Sequence, residues 1–210
     1  MLTLSHLTLV HWLSPAFPTG AFAYSHGLEA EIASGVVHDA ASLETWLGNI
    51  LRFGAGWQDA VLLAQALEGE CDALDDLARA LQPCAERLRE SLEQGAALTR
   101  CVAGMTGHHL PARLLPVSVG AAAAELGLPK RDVIALYLQG FAGNLVTIGI
   151  RHVPLGQTEG QAVLARLLPS IHTLAEHAAS ATLDDIGTCT LAGDLAALRH
   201  ETMDVRIFRT

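Results

Sequence analysis

Apolar positions along this chain recur at helical spacing nearly everywhere, and runs that alternate every second residue are not found. Leu43, Leu47, Ile50 and Leu51 fall on one helix face with Trp46 beside them, and Phe53 and Gly54 close the segment. Trp57 to Leu67 reads as a second apolar helix ended by Gly69. Asp72, Asp75 and Asp76 open a third, where negative charge meets the positive end of the helix dipole. A longer helix is expected from Glu86 to about Val102, burying Leu88, Leu92 and Leu98. Gly104 to Pro111, with His108 and His109, reads as a loop. Gly127 ends one helix and Pro129 begins the next. Thr158 and Gln161 have the spacing of a capping box, and Pro169 is expected to kink or split the helix that follows. Thr182 is placed to cap a last helix with Asp184 and Asp185 in its first turn. Together these segments predict one all-α domain, a bundle of roughly eight to ten helices over residues 1–210.

Val133 to Ile150 has no charged side chain and approaches the length of a membrane span. It nevertheless keeps Ile134, Tyr137, Leu138, Phe141, Leu145 and Ile148 at helical spacing among polar Gln139, Asn144 and Thr147. Gly140, Ala142 and Gly143 offer small surfaces for a neighbouring helix. A central buried helix is the expectation, with no membrane. The apolar start up to Leu13 lacks the basic residues of a secretion signal, since no Lys or Arg occurs before Arg52, so a cytoplasmic protein is expected.

Composition narrows the function. Half of the chain is hydrophobic and 17% is charged, so a sizeable core is easily buried. The formal charge of −9 and a single lysine, Lys130, disfavour nucleic acid as a partner. Four cysteines lie apart with no C-x-x-C pair, as in a reduced intracellular chain. Ten histidines invite a metal reading, but His172 and His177 are five apart, and His108-His109 is an isolated loop pair. No three- or four-ligand metal site assembles from spacing; a weak contact at His108, His109 or His200 is the most that spacing allows. No phosphate-binding glycine loop occurs, and no cofactor is expected. Ala23-Tyr24-Ser25-His26-Gly27 is near the nucleophile elbow of serine hydrolases, which makes an esterase using Ser25 the alternative function. That motif needs a strand before the serine; here a Pro- and Gly-rich loop precedes it.

The tail, residues 199–210, interleaves Arg199, Arg206 and Arg209 with Met203, Val205, Ile207 and Phe208. Arginine with large apolar side chains suggests a docking segment, and folding onto its own core explains the apolar residues equally well.

Three stretches carry a resemblance. Ser14 to Glu29 (SPAFPTGAFAYSHGLE), Pro154 to Gln161 (PLGQTEGQ), and Asp184 to Cys189 through Arg199-His200-Glu201-Thr202 to Arg206-Ile207-Phe208-Arg209 resemble the urease accessory protein UreF family in order and separation. Phe17 and Thr19 stand where smaller aliphatic residues are usual in that family, and Ala96 where an arginine is usual. The resemblance implies an all-helical homodimer without catalytic residues. It would bridge the accessory protein UreD (also called UreH) and the GTPase UreG while nickel is delivered to apo-urease. It further implies that the tail, through Arg199, His200, Glu201, Arg206, Phe208 and Arg209, meets UreD/UreH. Tyr24, Ser25 and Glu29 form a second candidate surface whose partner stays open.

Overall fold

The computed structural model describes every residue except Thr188. Among the described residues there are ten α-helices and no strand. They are α1 (Leu4–Trp12), α2 (Leu28–Ala33), α3 (Ala40–Phe53), α4 (Ala55–Ala66), α5 (Cys71–Ala80), α6 (Ala85–Thr106), α7 (Leu115–Ala123), α8 (Lys130–His152), α9 (Gln157–Ala178) and α10 (Leu191–His200). The expected all-α bundle is therefore the observed fold.

The core forms around α4, where Ala60, Val61, Leu62, Leu63 and Ala64 are all fully buried. α3, α7, α8 and α9 pack on it from different sides. α8 and α9 pair as a helical hairpin across the short link from Val153 to Gly156. α3 buries the predicted face, Leu43, Trp46, Leu47, Ile50 and Leu51, and begins with a capping box made by Asp39 and Ser42. α8 is long and apolar enough to cross a membrane by length and composition, and half of its most apolar window is buried in the fold. Its Gly149 has a packing reason: a Cβ there would stand 2.7 Å from Leu43 Cδ2, so the glycine leaves room for the Leu43 side chain of α3.

Several local expectations are corrected. α6 runs on through Gly104 to Thr106, and the loop begins at Gly107, whose φ of +75° ends the helix. Pro129 is the residue before α8 and not its first. The Thr158–Gln161 capping box does not form, because α9 already starts at Gln157 and places Thr158 inside the first turn. α9 also continues past Pro169, since packing of Val163, Leu167, Ile171 and Ala175 on the core outweighs the one hydrogen bond the proline removes. Thr182 does cap with Asp185, but the element is a 3₁₀ turn, Leu183–Ile186, and the last helix starts later at Leu191. The buried face of α6 departs most from the expected one. Leu98 is buried as expected, whereas Leu88 and Leu92 are half-buried, and the interior face carries Glu86, Arg87, Glu90, Ser91 and Gln94.

Candidate partner-docking site

The polar face of α6 is buried because the tail lies over it. At the chain turn before α2, His26 and Gly27 both take positive φ, +58° and +78°. A Cβ on Gly27 would lie 2.8 Å from the Ala197 nitrogen, so α10 crosses α2 at backbone distance. That crossing brings His200, which is fully buried, between two carboxylates. His200 Nε2 is 3.0 Å from Glu29 and Nδ1 is 2.7 Å from Glu86. Glu29 then accepts the backbone N–H groups of Ile207 at 2.8 Å and Phe208 at 3.0 Å. Glu86 accepts from Arg206 at 2.6 Å. Glu201 closes the loop by accepting the Glu86 N–H at 2.9 Å in the first turn of α6, where the helix dipole favours its charge.

Further along, Arg209 donates from its backbone to the Ala23 carbonyl at 2.9 Å. Its guanidinium reaches Glu93 and the Tyr24 hydroxyl, each at 2.9 Å, and stands 5.2 Å from the Tyr24 ring centre. Tyr24 in turn donates to Glu93, and Arg199 pairs with Glu31. Ser25 donates both its backbone N–H, at 2.7 Å, and its hydroxyl to the Thr210 carbonyl oxygen. The Thr210 hydroxyl donates to Glu90 at 2.7 Å. The one large side chain that the tail inserts into the core is Phe208, edge-on to the His152 ring with centroids 4.9 Å apart.

These distances unite what the sequence left as two surfaces. Tyr24, Ser25, Glu29, Arg199, His200, Glu201, Arg206, Phe208 and Arg209 all belong to one assembly in which the tail is strapped across α2 and α6. Tyr24, Ser25, Glu29, His200 and Phe208 are buried within it, while Arg199, Arg206 and Arg209 remain at the surface. Sequence reasoning missed the receiving acids, Glu31, Glu86, Glu90 and Glu93. Their signal was the spacing of Glu86, Glu90 and Glu93 along one face of α6, opposite Leu88 and Leu92.

Burial works to raise the Glu29 carboxyl, but hydrogen bonds from His200 and from the Phe208 and Ile207 amides outweigh it and hold it below the usual carboxylate range. Burial is likewise overcome at Glu90, which the Arg87 charge and His26 draw down to about 2. Burial, aided by Arg87, pushes His26 down to about 4 and so keeps it neutral. Burial raises Asp59 to about 6 although Tyr137 donates to it at 2.6 Å. The Tyr24 hydroxyl is driven up by burial and by Glu93.

Ser25 is fully buried, its hydroxyl is committed to Thr210, and a loop with a single 3₁₀ turn precedes it, so the elbow geometry of a hydrolase is not formed. Among the described residues no three His, Cys, Asp or Glu side chains gather as metal ligands. His108 lies 3.0 Å from Glu125, and the ring nitrogens of His200 are occupied by its carboxylates. The third signature runs through Thr188, which lies outside the described residues.

Beside Arg199, Arg206 and Arg209 the outer surface of the assembly carries a row of exposed apolar side chains. On α10 the small residues Gly193, Ala196 and Ala197 face inward. Leu191, Leu195 and Leu198, at helical spacing, are 68%, 46% and 42% exposed. Val205 and Ile207 continue the apolar exposure into the tail.

The model of the UreF family matches residues 37–168, which hold α3 to α8 and the first half of α9. Full-length relatives extend the likeness over the tail and the elements that hold it. The urease accessory protein UreF of Cereibacter sphaeroides strain KD131 is 62% identical over 205 residues, covering 97% of this chain and 98% of its own. That of Paracoccus denitrificans strain Pd 1222 is 50% identical over 208 residues, 98% of this chain and 96% of its own. That of Jannaschia sp. strain CCS1 is 47% identical over 206 residues, 97% and 94%. With a family-model match over more than half its length and relatives this similar from end to end, the chain belongs to the UreF family of urease accessory proteins.

Proposed function

We propose that this chain is a non-catalytic adaptor in urease maturation, bridging UreD/UreH and the GTPase UreG while nickel passes, as cargo, to the apo-urease centre. In this reading it works in the cytoplasm as a homodimer, GTP is hydrolysed on UreG, and α10 with the tail is the face that meets UreD/UreH.

One observation carries the reading: α10 is inverted, with glycine and alanines inward and Leu191, Leu195 and Leu198 outward. A surface helix normally turns its leucines to the core, so an outward stripe beside exposed Val205 and Ile207 is the mark of a protein-binding face. The arginines beside it, Arg199, Arg206 and Arg209, are held by Glu31, Glu86 and Glu93 and so enter binding already ordered. Relatives named as accessory proteins of urease point to the same role.

The test is co-expression with UreD/UreH followed by gel filtration. Wild type is expected to elute as a complex, and Leu195→Asp/Leu198→Asp/Ile207→Asp is expected to keep its helical spectrum and lose the complex. An undiminished complex in that variant defeats the docking assignment. In a cell lacking this gene alone, urease activation should fail and excess nickel should restore it only partly; full activation without the gene removes the adaptor role altogether.

A further inference from the structure

A small pocket of about 240 Å³ lies between the second half of α3 and the first turn of α10. Two close approaches form it. A Cβ on Gly54 would run into the Thr190 hydroxyl, and one on Gly193 into the Ile50 side chain, so α10 starts directly against the end of α3. Two of the lining side chains carry polar groups that the fold leaves unpaired. Trp46 is 7% exposed and Thr190 8%, and neither the indole Nε1 nor the Thr190 Oγ1 has a hydrogen-bond partner among the described residues. Thr190 stands at the N-cap of α10, where a threonine hydroxyl ordinarily accepts from the first turn, and here it does not. Buried polar groups are costly to leave unpaired, so two of them in one pocket point to a ligand that pairs them.

The donors select that ligand. An indole N–H only donates and a hydroxyl donates readily, so the missing group is an acceptor oxygen, and one carbonyl oxygen takes two such bonds. Among the described residues no charged side chain lines the pocket, and Asp194 already supplies a carboxylate to the first turn of α10. A second carboxylate would be buried without a cation, which favours a neutral amide carbonyl. The volume falls below the roughly 300 Å³ at which pockets for drug-sized ligands begin, and suits one side chain with its peptide group. Phe53 and Leu191, 49% and 68% exposed, form the rim. Exposed side chains change rotamer within nanoseconds and so give access to the atoms beneath. Leu191 is also the first member of the outward row that continues through Leu195 and Leu198, so a protein covering that row reaches the pocket.

We infer that the protein docked on α10 inserts an apolar side chain here, against Ile50 and Phe53, and sets its main-chain carbonyl on the Trp46 N–H and the Thr190 hydroxyl. The inference deepens the docking role proposed above and rests on it.

Binding of the full chain, carrying isotope-labelled tryptophan, to UreD/UreH tests it. Trp46→Phe keeps a ring and removes the N–H; Thr190→Val keeps the shape and removes the hydroxyl. Each should weaken binding about tenfold. Because the hydroxyl is unpaired in the free chain, Thr190→Val should leave the urea midpoint of that chain unchanged or higher, a split that a merely structural threonine would not give. The Trp46 indole N–H resonance, identified by its absence from Trp46→Phe, should move on complex formation. Should Trp46→Phe fail to fold, Ala192→Phe, which plugs the pocket from an exposed position, is expected to weaken binding as much. Thr45→Val, a hydroxyl deletion on the exposed side of α3, should bind as wild type does. Binding undiminished in Thr190→Val and Ala192→Phe, but lost in Leu195→Asp/Leu198→Asp/Ile207→Asp, overturns the inference and leaves the docking reading standing. Wild type that does not bind UreD/UreH at all overturns both.

Discussion

The Glu29 carboxylate and the His200 imidazole lie 3.0 Å apart where α2 meets α10, although 171 residues separate them in the chain. Glu29 spends its remaining acceptor capacity on two backbone amides of the tail, so one side chain fixes both the last helix and the segment after it.

Glu29→Gln preserves shape but replaces one acceptor oxygen with a donor that faces other donors. It should cost about 2–4 kcal/mol, the usual penalty for breaking a buried charged hydrogen-bond set. Hydrogen exchange should show residues 205–210 losing protection while α4 keeps it. Equal protection in both proteins contradicts the anchoring role.

Gly27→Ala should be costly at a distance. The new Cβ would press on the Ala197 nitrogen at 2.8 Å from a backbone whose φ is +78°. A loss of about 2–3 kcal/mol in urea unfolding is expected, from strain and overpacking together. A variant with unchanged stability would mean that α10 does not sit this close to α2.

The response to acid has a definite sign. Glu29 and Glu90 are held below their ordinary 4.5, Glu90 at about 2, so the unfolded chain takes up their protons first. The stability they contribute is complete above about pH 5 and is lost as pH falls from there toward 2. Protection factors in the tail, corrected for the intrinsic exchange rate at each pH, should therefore fall in acid; factors unchanged between about pH 6 and 3 would contradict the assignment.

Asp59 and His26 oppose each other in a neighbouring window. Asp59, raised from 3.8 to about 6, makes folding less favourable as pH climbs through that interval. His26, lowered from 6.5 to about 4, makes folding more favourable as pH climbs from 4 to 6.5. Asp59→Asn removes the first effect and keeps an acceptor for Tyr137. The variant should gain about 1–3 kcal/mol at pH 7 and show a urea midpoint that rises between pH 4 and 6.5. A flat midpoint in the variant would contradict a neutral buried His26.

Pro169 sits exposed inside an unbroken α9. Pro169→Ala restores a backbone donor and should stabilise the protein by about 1–3 kcal/mol. A lower melting temperature in the variant would show that the proline supports the helix rather than merely being tolerated.

How far the sequence could be read depends on the residue. Leu43, Leu47, Ile50 and Leu51 predicted α3 because their burial follows from spacing on one helix. Leu88 and Leu92 misled because two faces of α6 compete, and the tail decides which one water leaves. Thr158 and Pro169 misled because local capping and breaking preferences amount to about 1–3 kcal/mol, which core packing along a long helix can exceed.

Helical periodicity, the low charge and the three signature stretches determined an all-α member of this family before any coordinates, because each is a property of neighbours in the chain. That Tyr24, Ser25 and Glu29 hold the tail, that His200 stands between Glu29 and Glu86, and that α10 turns its leucines outward were decided only by the tertiary structure. Hydrogen bonds between residues more than a hundred positions apart leave no spacing to read, and which face of a short helix is buried depends on what the rest of the chain brings against it.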